Sequence, residues 1–298
     1  MRSYGRGLRV LGALACLLAA LALSGCKKDL DKVPKDRDAA LTPQQLLEKG
    51  TSLSRRGHYY RARQILEKVL SRPNAGAELI AKANLAIADA YYYDGGVINV
   101  AEALSRYTSF LTFYPTHPSA DYVQYQIGLC HLKQVLAPDR DQTTTRQALD
   151  AFVKVANDYT DSGYAKAARE KADECRERLG ESEFRVGLFY MKRRGHFGAI
   201  ERFRTILESY PRYSKRDQVY FQLATALRAR GKVDEALLYL QKVVEEYPKS
   251  RWAAEAREIL DETAVPPGRT AETTADKPSS ARRDAAAAPP GGGGAPRP

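Results

Sequence analysis

Along the middle of the chain, alanine recurs with large apolar residues four and seven positions later and, in most cases, a proline at twelve. Ala103, Tyr107, Phe110 and Pro115 show the spacing, as do Ala199, Phe203, Ile206 and Pro211, and Ala236, Leu240, Val243 and Pro248. Ala148, Phe152 and Val155 follow it with Thr160 in the proline's place, and Ala62, Leu66 and Val69 open the series with Pro73 one residue early. Offsets of four and seven lie on one face of a helix. Proline ends such a helix because it lacks the N–H and its ring strikes the preceding turn. Twelve residues ahead of three of these alanines stands a small residue inside an earlier apolar-periodic segment: Gly50, Gly187 and Ala224. In the third unit its equivalent is Gly128, displaced to twenty residues ahead by an insertion, while the second unit has Tyr91 there and does not conform. Each unit therefore predicts two antiparallel helices, the small residue of the first letting the second approach closely.

The first helix has a legible start. Thr42-Pro43-Gln44-Gln45 supplies a capping threonine, proline at the first helical position and glutamine at the third. Gly57 and Gly231 stand where hairpins must turn, and alternation of strand type is almost absent. The pattern resembles the tetratricopeptide repeat, which implies an all-α solenoid of about five helix-turn-helix units over 42–260, with a longer connection at 135–146. Successive alanines lie 41, 45, 51 and 37 residues apart, against about 34 for the minimal repeat, so helices or loops must be longer.

The two ends differ in composition. Arg2, Arg6 and Arg9 precede an apolar run from Val10 to Leu23, the pattern of a secretory signal and too short for a comfortable membrane span. Leu23-Ser24-Gly25-Cys26 resembles the lipobox of bacterial lipoproteins, which implies that residues 1–25 are removed, that Cys26 is lipidated, and that it anchors the chain to a membrane. Lys27 in the next position implies the outer membrane, on its periplasmic face. Residues 26–41 then predict a charged, solvated tether, and the Ala-, Pro- and Gly-rich stretch 261–298 a disordered tail. Losing three arginines with the signal lowers the formal charge from +11 to +8. A mild basic excess without aromatic–basic clustering argues against nucleic acid and for acidic partner surfaces or anionic lipid.

Catalytic patterns are missing. The chain has no HExxH, GxSxG, phosphate-cradling glycine loop or CxxC, which predicts no enzyme, no cofactor and no metal site. Cys130 and His131 are adjacent on a helix, about 100° apart, so they cannot readily join Cys175 around one ion. The two cysteines predict packing more than a bridge. Asp139-Arg140-Asp141 predicts a local salt bridge in the long connection.

Two strings go beyond a generic repeat. "FYPTHPSADYVQYQIGL" at 113–129 carries YPxHPxxDYxxYxxGL, and "PDRDQTTTRQALDAF" at 138–152 resembles an RD…R-A-F segment, both as in the BamD/YfiO type of outer-membrane assembly lipoprotein. "RLGESEFRVGLFYMKRRGHFGAIERF" is similar to that family's fourth helix pair, with Glu201 where the family has asparagine. The resemblance implies a scaffold in β-barrel assembly, binding the POTRA region of a BamA-like barrel subunit, unfolded outer-membrane β-barrel proteins and other assembly lipoproteins. It places Arg202 at the barrel subunit. The repeat register points Arg55, Tyr122 and Tyr125 towards the concave side, where they would meet the aromatic residues and terminal carboxylate of a barrel-protein signal. Lipoproteins of pilus or secretin assembly and Tol-Pal-linked envelope factors also use exported repeats and form the alternative reading.

Overall fold

A computed structural model describes residues 38–264. The signal segment 1–25, Cys26, most of the tether and the tail beyond Ala264 lie outside the described residues. Within them are eleven helices and no strand. These are α1 (Pro43–Arg55), α2 (Tyr59–Leu70), α3 (Ala77–Asp94), α4 (Gly96–Phe113), α5 (Ala120–Lys133), α6 (Thr143–Asp158), α7 (Ala165–Lys192), α8 (His196–Ser209), α9 (Arg216–Ala229), α10 (Val233–Glu246) and α11 (Arg251–Ala264). The chain forms two compact units that divide within α9, after Val219.

In the first unit each helix from α1 to α8 packs on its sequence neighbour, and α1 also packs on α3, the contact that stacks one repeat on the next. The predicted close approaches are present. A β-carbon built on Gly50 would lie 2.5 Å from Leu66, on Gly128 2.6 Å from Phe152, and on Gly187 2.5 Å from Phe203. Each partner is the large residue four positions after a repeat alanine, and Leu66, Phe152 and Phe203 are fully buried. The non-conforming second unit shifts by a turn: Ala88, three residues before Tyr91, shares the buried cluster of Ala103 and Tyr107. Tyr91 instead lies between two guanidinium groups, Arg63 at 4.3 Å and Arg106 at 5.0 Å from its ring centroid.

The ends of the helices follow local chemistry. At the start of α1, the Gln45 backbone N–H donates to Thr42 Oγ1 (3.2 Å) and the Thr42 N–H donates to Gln45 Oε1 (3.0 Å), the reciprocal cap read from the sequence. Helices α4, α6, α8 and α10 end at Tyr114, Tyr159, Tyr210 and Tyr247, all with φ near −130°. Three of these precede proline, which disfavours the α conformation. Tyr159 precedes Thr160 and adopts the same backbone, so proline is not required there.

Three structural details differ from expectation. Asp38, inside the segment expected to be a solvated tether, is buried: it pairs with Lys49 and with Lys68 (2.9 Å), while Arg72 donates to the carbonyls of Asp38 and Ala39. Nothing in the sequence sets Asp38 apart from Asp29, Asp31 and Asp36 or signals that three cations await it. Helix α11 runs to Ala264, four residues past the expected boundary. In the long connection Asp139, Arg140 and Asp141 form no ion pair; the buried Gln142 holds the loop, donating to the carbonyls of Ala137 (2.8 Å) and Arg140 (3.0 Å).

The second unit buries Ala236, Leu240 and Val243 with Ala253 and Ala256 as α10 packs on α11. The only tryptophan, Trp252, lies 4.8 Å from the Phe221 ring.

Candidate functional site

The tyrosine-rich end of α3 meets the α1–α2 turn at a groove of about 400 Å³, lined by Thr51, Ser54, Arg55, Tyr59, Asp89 and Tyr93. Arg55 is exposed there and makes no ion pair, so its guanidinium is available to an incoming anion. Tyr59 and Tyr93 stack across the groove, with centroids 6.5 Å apart and planes 23° apart. Tyr93 remains half exposed.

Asp89 ties this groove to the next repeat. Its Oδ1 accepts from the hydroxyls of Tyr107 (2.6 Å) and Tyr122 (2.9 Å), and Gln126 Nε2 donates to the Tyr122 oxygen (2.7 Å). Burial pushes the Asp89 carboxyl above its ordinary range, against the two hydroxyl bonds that pull it down. Burial and the neighbouring carboxylate raise both phenols, so they stay protonated donors at neutral pH.

The HPxxDY string is the joint beneath this floor. His117 accepts at Nδ1 from the Ser119 N–H (3.0 Å) and meets the Phe110 ring edge-on at 5.2 Å. Asp121 accepts from the Tyr122 N–H (2.7 Å) and, across to the following repeat, from Ser162 Oγ (2.6 Å). Tyr122 lies against Tyr164 (5.5 Å), and Tyr125 between Tyr164 (5.3 Å) and Phe152 (5.6 Å).

Of the residues singled out in the sequence, Arg55 lines the groove and Tyr122 reaches it through Asp89. Tyr125 is half-buried between rings of α6 and the loop before α7. Asp89, Tyr59 and Tyr93 were not anticipated, although "ADAYYYD" at 88–94 offered the signal: three consecutive tyrosines cannot all face a core.

Arg202 lies elsewhere, on α8. Its Nη1 contacts Glu183 Oε2 of α7 at 2.9 Å, a partner nineteen residues away that a search of the same helix face could not find. Nearby, Glu181 accepts from Tyr213 (2.7 Å), Lys215 (2.8 Å) and Arg185 (2.8 Å). Burial alone would raise its carboxyl, but these three bonds outweigh it and hold it at about 2. A larger cleft, about 760 Å³, borders α7 and the 208–213 segment. Both of its arginines are already engaged, Asp173 pairing with Arg176 (2.8 Å) and Arg212 (3.2 Å).

Cys130 and Cys175 are free, buried thiols in separate core clusters, pushed up by burial to about 12 and about 11. They pack; they do not bridge.

Stacked helix pairs, with small-to-large contacts at the Gly50, Gly128 and Gly187 crossings, define the class: a tetratricopeptide-type helical repeat protein. The chain belongs to the YfiO family, described as outer membrane lipoprotein, whose model matches residues 39–236. It is 28% identical to the outer membrane protein assembly factor BamD of Caulobacter vibrioides over 85% of this chain and 82% of that one. The BamD of Vibrio cholerae is 29% identical, over 66% and 83%, and that of Rickettsia prowazekii 24%, over 83% and 95%. Among solved structures a MamA protein aligns over 70% of this chain and 92% of its own, at 18% identity and a TM-score of 0.28, too loose to carry an argument. Among the described residues, no helix is long and apolar enough to cross a membrane.

Proposed function

We propose that this chain is an outer-membrane protein assembly factor, lipid-anchored through Cys26 on the periplasmic face, that receives unfolded β-barrel proteins and hands them to a BamA-like barrel subunit. The observation that carries the reading is the YfiO family match across most of the repeat region, with BamD proteins as relatives. Within it, the substrate's aromatic side chains lie against Tyr59 and Tyr93, and its terminal carboxylate meets Arg55. The hydroxyls of Tyr107 and Tyr122 cap Asp89, which lessens its repulsion of that carboxylate. Tyr122 and Tyr125 set the floor and the spacing of the following repeat. Arg202 faces the barrel subunit's POTRA domain while Glu183 holds its guanidinium in place.

A photo-crosslinking peptide ending in an aromatic residue and a free carboxylate tests this. Crosslinks should fall within 42–135 and fade in Arg55→Glu; crosslinks confined to 180–260 reverse the assignment. For the other face, Arg202→Glu should weaken binding to the isolated POTRA fragment more than Arg202→Ala, because it sets two carboxylates against each other and against the partner. Recovery of secretin, pilus or Tol-Pal components in place of a barrel subunit, on co-purification with the detergent-extracted protein, would replace this function with another.

A further inference from the structure

Three hairpin turns in this chain share one backbone design. In the α1–α2 turn Gly57 donates to the Ser54 carbonyl and His58 to that of Leu53; in the α9–α10 turn Gly231 donates to Arg228 and Lys232 to Leu227. The α7–α8 turn repeats both bonds, Arg194 to Met191 and Gly195 to Tyr190. Gly57 and Gly231 have φ of 79° and 75°, in the left-handed region that glycine enters without cost. Arg194 occupies the same place with φ of 58°, the one non-glycine residue with positive φ among those described. A side chain there is strained by roughly 1–2 kcal/mol. Glycine stands in the very next position, so the turn has its glycine one residue late.

What the strained position adds is a third consecutive cation. Lys192, Arg193 and Arg194 are all exposed and none makes an ion pair, whereas Arg176 and Arg185 on the same hairpin's first helix are both paired. Two aromatic rings flank the cations, Phe189 at 51% and Phe197 at 68% exposure, and the Arg193 guanidinium sits 4.7 Å over the Phe189 ring. The α1–α2 turn presents Arg55, Arg56 and an exposed Tyr60, but it has Ser52 in the place of Phe189 and glycine in the place of Arg194. Clustered cations beside unburied rings on an exposed turn match a surface with phosphates outside and hydrocarbon beneath. The rings enter the interface while the long basic side chains keep their charges at headgroup level.

We propose that the α7–α8 turn, 189–197, docks on an anionic phospholipid surface and so orients a chain that is already tethered there. This rests on the reading of the chain as a membrane lipoprotein. Each cation near such a surface contributes about 1 kcal/mol, about fivefold in the ratio of docked to undocked protein, and the three together about 10²-fold. The test uses the full chain carrying Phe197→Trp and Trp252→Phe, which leaves a single tryptophan at the tip of the turn, reconstituted through its anchor into vesicles with brominated acyl chains. One set is phosphatidylethanolamine with phosphatidylglycerol at about a third of the lipid, the other phosphatidylcholine alone.

Flotation with both sets reports the anchor. Quenching and a blue shift of the tip tryptophan only on the phosphatidylglycerol vesicles, reversed by high salt and by Lys192→Gln/Arg193→Gln/Arg194→Gly but not by Arg55→Gln/Arg56→Gln, supports docking. Flotation with an unquenched tip on both sets overturns docking and leaves the lipoprotein reading intact. Failure to float overturns the anchor instead, and added phosphatidylglycerol vesicles then decide the tip alone: quenching upholds docking, its absence overturns it. An unquenched tip whose triple variant loses an acidic protein partner would make the turn a protein-binding site and overturn the lipid assignment.

Discussion

Gly128→Ala should destabilise the first unit, contrary to what glycine-to-alanine changes do on an open helix. Alanine is favoured over glycine in a helix interior by about 1 kcal/mol. Here the new β-carbon would lie 2.6, 2.8 and 2.9 Å from three atoms of the Phe152 ring, where contact distances for carbon are about 3.5–4.0 Å. The ring must therefore retreat by most of an ångström, yet Phe152 is fully buried in a cluster with Val155, Ala168, Ala172 and Cys175. Overpacking of that kind costs about 1–3 kcal/mol, and three ring atoms inside 3 Å place the cost in the upper part of that range. A net loss of up to about 2 kcal/mol therefore remains after the helix gain, a fall in Tm of up to roughly 8 °C for a unit of this size. Denaturant titration of Gly128→Ala in the wild-type and Phe152→Ala backgrounds isolates the clash, because alanine leaves space for the methyl group. Leucine would not, a β-carbon on Gly50 lying 2.5 Å from Leu66 at the equivalent crossing. In the Phe152→Ala background the same change should be neutral or stabilising. Equal effects in the two backgrounds, or a higher Tm for the single variant, would refute the steric reasoning. The consequence reaches the groove, since α5 carries both Gly128 and Tyr122, which donates to Asp89.

Arg194→Gly should raise stability by about 0.5–1 kcal/mol, the relief of left-handed strain less the added freedom of glycine in the unfolded chain, while Arg193→Gly should not; a lower Tm for Arg194→Gly would contradict the strain. Glu181, held at about 2 against an ordinary 4.5, contributes stability that is complete above about pH 4.5 and disappears as pH falls towards 2. Its side chain is 20% exposed but Lys215 and Arg185 are about half exposed, so screening leaves about 1 kcal/mol. The difference in Tm between wild type and Glu181→Gln should accordingly shrink across that window, and a constant difference would locate the effect in packing.

Register was legible wherever one residue type had one physical job. Alanine at the crossing, a large residue four later and glycine opposite it are local enough that Gly50, Gly128 and Gly187 could be matched to Leu66, Phe152 and Phe203 from spacing alone. The groove was legible only in part. Arg55 and Tyr122 lie 67 residues apart, and what joins them is Asp89, a carboxylate bonded by two hydroxyls from two different helices. No periodicity reveals a polar contact between repeats. The same holds for Arg202 and Glu183, and for Arg194, whose positive φ is invisible in a sequence that offers Gly195 one position away.

The burial of Asp38 fixes a length. Its pairs with Lys49 and Lys68 and the Arg72 bonds to its carbonyl clamp the chain to α1 and α2 at residue 38, not at the helix start. On the proposal that Cys26 carries the lipid, twelve residue steps separate anchor from clamp, and at full extension they span at most about 43 Å. Such a leash would bound how far the first repeat can rise from the membrane surface, and therefore which layer of partners it could sample. Residues inserted between 27 and 37 would extend its range without entering any helix of the described residues, and a substitution that freed Asp38 would lengthen it by the few residues up to Thr42.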